Sequence, residues 1–203
     1  MITLAFGHSS QGSSSPLAGP GSKPSSPAPL PRSSPAPAPT GHRSQHPRQH
    51  SAVVGQADGV VPDGATVDDP IPAVANLDPE LLEALRRAAS AAARDGITFY
   101  VNSGWRSPEY QNQLLREAIS RYGSAAAAAR WVATAETSPH VSGDAVDIGH
   151  SDATSWLSEQ GAEYGLCQIY RNEPWHYELR PRAVGNGCPR AYANPTQDPR
   201  MQR

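Results

Sequence analysis

Three short stretches hold residues whose types and spacing could do chemistry. SPHVSGDAVDIG, Ser138 to Gly149, places His140 seven positions before Asp147, with Gly143 between them. RNEPWHYE places Glu173 three residues before His176, and SGWRSPEYQ holds Arg106 and Gln111. Two imidazoles and one carboxylate form a ligand set that leaves a fourth metal position open for water or substrate. A metal there lowers the pKa of water and polarises a carbonyl, while a nearby carboxylate takes the water's proton and passes it to a leaving amine. A guanidinium adds a planar fork of donors suited to a carboxylate or a developing oxyanion.

Each residue alone has a plainer role. A single histidine is more often structural than ligating, Arg106 alone could be a surface cation, and Trp105 and Trp175 read as packing residues. His150 reads as a helix-start or surface residue. A non-haem iron triad also uses two histidines and one carboxylate. It usually sets the acid two residues after the first histidine, and it would give Glu173 no task.

The elements must bring these groups together. Alternation through AVDIG puts Ala145 and Asp147 on one face of a strand and Val146 and Ile148 on the other. Gly143 allows a turn that could return His140 toward Asp147. An offset of three would put Glu173 and His176 on opposite strand faces, but Pro174 makes regular pairing there unfavourable, so Glu173 is expected in the loop entering the strand.

Ser138 to Asp147 reads SxHxxGxAxD, Glu173 to His176 reads ExWH, and Ser103 to Ser107 reads SGWRS. Together these resemble the zinc D-alanyl-D-alanine carboxypeptidase family typified by the VanY enzymes, of the hedgehog/D,D-peptidase fold. The resemblance covers roughly residues 78–180. It implies one Zn2+ per chain held by His140, Asp147 and His176, with Glu173 as general base and Arg106 meeting the substrate. It also suggests Ser138 and Gln111 as residues that orient the peptide. The implied function is hydrolysis of peptidoglycan stem peptides, foremost release of terminal D-alanine. Alternatives are an L,D-carboxypeptidase, an L-alanyl-D-glutamate endopeptidase, or a wall-binding module without turnover. Trp105 stands where the family often has tyrosine, and only LCQIYRN separates Gly165 from Glu173, where many relatives carry a longer hairpin.

The surrounding pattern predicts α+β: a small, mainly antiparallel sheet flanked by helices, since helical patterns cluster early and strands late. Asp78 and Pro79 start a helix that closes at Gly96, and ITFYVNSG (97–104) is a strand. Ser107 and Pro108 start a second helix that stops at Gly123, and Ser124 caps an alanine-rich third. A loop then runs to Ser138, AVDIG is a strand, a fourth helix starts at Ser151 or Asp152 and ends at Gly165, and CQIYRNEPWHYEL supplies one or two strands.

Composition divides the 203 residues. Residues 1–50 carry ten prolines, eleven serines, no acid and four basic residues, and are expected to be disordered because they offer too little apolar surface to order them. Setting those four aside leaves 13 basic residues against 19 acids in the body, a net charge of −6. That sparse basic segment reads as a solvated spacer, and His42, His46 and His50 as solvated side chains. Residues 51–76 are expected to form an extended lead-in, 77–192 the peptidase domain and 193–203 a flexible tail. Cys167 and Cys188 could close one disulfide, worth about 3 kcal/mol, which fits an oxidising compartment. Extracytoplasmic action is therefore expected, secreted or wall-associated, with a signal lost or lying upstream of Met1. No apolar run spans a membrane. A monomer with a stem-peptide substrate and no nucleic-acid partner completes the expectation.

Overall fold

The punctuation of the sequence becomes helix ends in the computed structural model, which describes residues 53–202. The expectations for residues 1–50, including His42, His46 and His50, lie outside the described residues. Helix α1 (Pro72–Ala75) is one turn within the stretch read as an extended lead-in. That stretch also holds a 3-10 turn at Gln56–Asp58 and bridges Thr66 to Tyr100. Helix α2 (Pro79–Ala92) starts where the Asp78 carboxylate accepts the amides of Glu80 and Leu81 at 2.9 and 3.1 Å. These bonds satisfy donors that the first helical turn leaves without a partner. Leu81 and Leu85 from α2 are fully buried, each contributing about 1.5–3 kcal/mol relative to exposure.

Strand β1 (Tyr100–Ser103) is shorter than the eight-residue run expected. Helix α3 (Pro108–Tyr122) is capped by Ser107, whose Oγ accepts the Tyr110 amide, and stops at Gly123. The alanine-rich segment forms only α4 (Ala125–Ala128). Beyond it, side chains from elsewhere take the carbonyls: Asn172 donates to Arg130 O and Gln111 to Ala133 O, each at 2.9 Å. A one-turn helix α5 (Pro139–Ser142) replaces the turn expected around His140. It has the same marks as α3, a serine, then proline at the first helical position, then a glycine stop. Strand β2 (Ala145–Gly149) and helix α6 (Ser151–Gln160) follow, then β3 (Leu166–Gln168) and β4 (His176–Leu179).

The four strands form an antiparallel sheet in the order β1-β2-β4-β3, so the fold is α+β as the element order implied. The register pairs Asp147 with His176 on one side and Ser103 on the other. Val146, Ile148 and Tyr177 turn to the core built with Leu81, Leu85 and Trp156. The two-residue period leaves Asp147, His176 and Glu178 on the opposite face.

Residues 193–202 correct the expectation of a flexible tail. Asn194 Oδ1 accepts the Thr196 amide at 3.1 Å and opens a 3-10 turn, Pro195–Gln197, followed by another at Pro199–Gln202. Asp198 is fully buried against Tyr170, whose hydroxyl donates to it at 3.0 Å. The low apolar content of the segment concealed this, because polar groups anchor it. Upstream, Cys167 and Cys188 form a disulfide that ties its approach to β3.

Candidate metal centre

His140, Asp147 and His176 arrive from α5, β2 and β4, and one ligand atom from each lies within 4.8 Å of the others. Asp147 Oδ1 stands 3.1 Å from His176 Nδ1 and 3.4 Å from His140 Nε2. Donors about 2.0–2.2 Å from a tetrahedral ion stand roughly 3.3–3.6 Å apart, close to the two separations from Asp147 Oδ1. The far side of each imidazole is also provided for. His140 Nδ1–H donates to the Gly104 carbonyl at 2.8 Å, and His176 Nε2–H to Glu178 Oε1 at 3.3 Å. Both bonds engage the outward nitrogen and leave the inward one to a metal, the arrangement by which outer partners orient a ligating histidine.

The electrostatics are those of a buried charged cluster. Burial pushes the His140 imidazole down, and the Arg106 charge adds to this against the pull of Asp147. His176 is held up at about 9: burial opposes its charge, but hydrogen bonds to Asp147 and Glu178 outweigh it. Asp147 stays well below the usual carboxylate range, since the two histidines overcome its burial.

Glu173 sits in the turn before β4. His176 N donates to Glu173 O at 3.1 Å, and this turn brings together side chains that a regular strand would separate. Its Oε2 is 3.7 Å from His176 Nδ1, while its buried Oε1 has no hydrogen-bond partner among the described residues. Burial pushes its carboxyl up to about 7, despite the opposing charge of His176. A carboxyl poised near neutrality and facing a cavity has what a general base needs.

Arg106 does more than face outward. It donates from Nη2 to Asp147 Oδ2 at 3.1 Å, from Nε to Ser103 Oγ at 2.8 Å and from Nη1 to Gln111 Oε1 at 3.0 Å. Gln111 is almost wholly buried, so it contacts Arg106 and Ala133 O as a brace. All these groups except Ser103 line one cavity of about 680 Å3, together with Ser138, Tyr170, Pro195 and Met201. The cavity continues past Leu114, Tyr122, Trp131 and Val132. Trp175, read as a packing residue, is 39% exposed at its edge, because the Glu173 turn carries it outward. His150 precedes α6 and is exposed, stacked on Tyr100, as a helix-start residue would be.

Residues 74–182 match the VanY family, described as D-alanyl-D-alanine carboxypeptidase. The chain belongs to that family. A D-alanyl-D-alanine carboxypeptidase of Enterococcus faecalis is 35% identical over 112 residues, 43% of this chain and 42% of that one. The chain thus spans less than half the length of this curated relative. Among solved structures, a VanY D,D-pentapeptidase from a VanB-type vancomycin-resistance cassette, in complex with Zn(II), is 30% identical. That match covers 51% of this chain and 72% of that one at a TM-score of 0.48. The LdcB LD-carboxypeptidase shares the fold at a TM-score of 0.50 and 23% identity, over 66% of this chain and 73% of that one.

This VanY-family site contains groups that sequence reasoning missed. The Gly104 carbonyl and Ser103 gave no signal beyond their place beside Arg106. Glu178 did, since two residues after His176 on a strand means the same face. Arg200 and Met201, which reach the site from the last turn, carried none.

Proposed function

We propose that this chain is a zinc peptidase of the extracytoplasmic space that trims peptidoglycan stem peptides, releasing terminal D-alanine as a D,D-carboxypeptidase. The observation that carries the reading is the convergence of His140 Nε2, Asp147 Oδ1 and His176 Nδ1 beside the buried Glu173 carboxyl, whose Oε1 has no partner among the described residues. When bound by these three residues, zinc supplies a Lewis acid for the scissile carbonyl and a water of lowered pKa.

The chain's own groups do the rest. Glu173 Oε1 accepts a proton from the attacking water and returns it to the leaving amine, a task suited to a carboxyl near neutrality. Arg106 offers its guanidinium edge to the substrate's terminal carboxylate or the developing oxyanion, while Ser103 and Gln111 hold its plane. Gln111 thereby acts on substrate through Arg106, and Ser138 lines the approach. The aromatic and aliphatic residues along the cavity shelter the peptide from water and strengthen these charge interactions.

The test is metal content alongside mass-spectrometric analysis of muropeptides ending in D-Ala-D-Ala or in a single D-Ala. Glu173→Ala is expected to keep one zinc per chain and lose turnover, and His176→Ala to lose both. Equal zinc loss in the two variants would overturn the assignment of roles. Release of D-alanine only from the shorter muropeptide would make the chain an L,D-carboxypeptidase. Persistent muropeptide binding without any product would remove the peptidase reading altogether.

A further inference from the structure

Behind His176, on the side away from the cavity, a second charged cluster is closed by the last turn of the chain. Glu178 shares the strand face of His176, is 1% exposed, and accepts the His176 Nε2–H. Arg200 meets both its oxygens, Nη1 to Oε2 at 2.7 Å and Nη2 to Oε1 at 3.0 Å, and Arg180 donates to Oε2 at 2.7 Å. Arg200 is itself held by Asp198, which accepts its Nε at 3.1 and 3.0 Å and its backbone amide at 2.9 Å. Tyr170 closes the ring, donating to Asp198 while its ring centroid lies 5.1 Å from that of His176, the two rings tilted.

The arrangement has a direct chemical consequence. A carboxylate this deeply buried is costly unless paired and hydrogen-bonded, and paired Arg–carboxylate forks are the strong, directional kind. Held by two guanidiniums, Glu178 presents an acceptor to His176 Nε2. The Nε2 proton is thereby kept in place, and Nδ1, the atom that faces Asp147 and His140, is the nitrogen whose proton a metal would displace. Without Arg200, Glu178 keeps only the one-sided contact from Arg180 and can swing away from the imidazole.

We propose that the C-terminal strap, residues 195–202, acts in the metal site through Arg200, a positioning residue that locks Glu178 and so sets the ligating nitrogen of His176. The inference rests on the zinc reading above. The strap also brings Pro195 and Met201 to the cavity wall, so it contacts the site on both sides of His176.

The experiment measures zinc affinity of the full chain by competition with a chromophoric chelator, with circular dichroism and protease resistance recorded on the same samples. Arg200→Ala is expected to keep the parent spectrum and weaken zinc binding by about 10- to 100-fold, the usual effect of losing an outer partner of a metal ligand. Arg200→Lys should recover part of that loss, and Glu178→Leu should reproduce it. Gln202→Ala, on the same strap but exposed, with its side chain hydrogen-bonded among the described residues only to Thr196 O, should leave the affinity unchanged. Arg200→Ala with affinity within twofold of the parent, while the parent binds zinc and Glu173→Ala keeps zinc but lacks turnover, overturns the strap's role and leaves the peptidase reading standing. A parent chain that binds no zinc overturns both. Should Arg200→Ala not fold, Arg200→Lys decides: parent-like affinity counts against the inference, and a severalfold loss in a folded variant supports it.

Discussion

Asp147 is engaged from both oxygens, and this constrains what Arg106 can do. Oδ1 serves the two histidines while Oδ2 receives Arg106 Nη2, so one guanidinium orients a candidate ligand and borders the substrate cavity at once. Three acceptors, Ser103, Gln111 and Asp147, fix its plane. Lysine keeps the charge but offers one compact ammonium, which cannot meet the same three acceptors and a substrate carboxylate. Arg106→Lys is therefore expected to lower kcat/KM for a D-Ala-D-Ala muropeptide by about 100-fold, roughly 2.7 kcal/mol. Zinc content should stay near one per chain. A change of less than threefold in steady-state kinetics would show that the fork geometry is not used.

Among the elements, α5 positions His140 and depends on Gly143. That residue has φ +83°, its carbonyl accepts the Asp78 amide at 2.9 Å, and an added Cβ would meet Asn76 O at 2.6 Å. Gly123, which ends α3 at φ +79°, has open space where its Cβ would be. Gly123→Ala should thus cost only the left-handed backbone penalty, about 1 kcal/mol. Gly143→Ala should cost more, about 2–4 kcal/mol, because the clash with backbone adds to the same penalty. Urea unfolding of the two variants tests this, and equal losses would mean that the close approach is relieved elsewhere. The contrast also explains what could be read from sequence. Caps and stops at Asp78, Ser107 and Gly123 were legible because they act locally. The short span of α4 was not, since the segment after it is tied down by side chains from distant segments, Asn172 on Arg130 O and Gln111 on Ala133 O. His140, Asp147, Glu173 and His176 stood out through motif spacing, whereas the turn joining Glu173 to His176 depends on β4 pairing with β2.

At the scale of the whole molecule, the least legible feature is the return of the C-terminal segment to the sheet. Its ties are polar and long-range: the Cys167–Cys188 disulfide, the bridge of Tyr170 to Tyr192, and the buried Asp198 beneath Tyr170. Residue types alone cannot reveal such pairings, because threonine, asparagine and arginine on a tail look the same whether solvated or docked. The docking should nevertheless be visible in the response to acid. Burial raises the Asp198 carboxyl, but the hydrogen bonds and charge of Arg200 and the Tyr170 hydroxyl together hold it below its ordinary value. Glu178 also faces this group across Arg200. A carboxylate with a depressed folded pKa contributes its stability fully above the unfolded value of about 3.9 and loses it as pH falls through the folded value. The parent should therefore lose denaturation stability as pH falls below about 4, with early hydrogen exchange in residues 193–202. Asp198→Asn starts less stable at neutral pH, and its stability should change less over the same acid window. Identical pH slopes for parent and variant, measured by urea unfolding between pH 6 and pH 3, would show that Asp198 does not hold the strap through its charge.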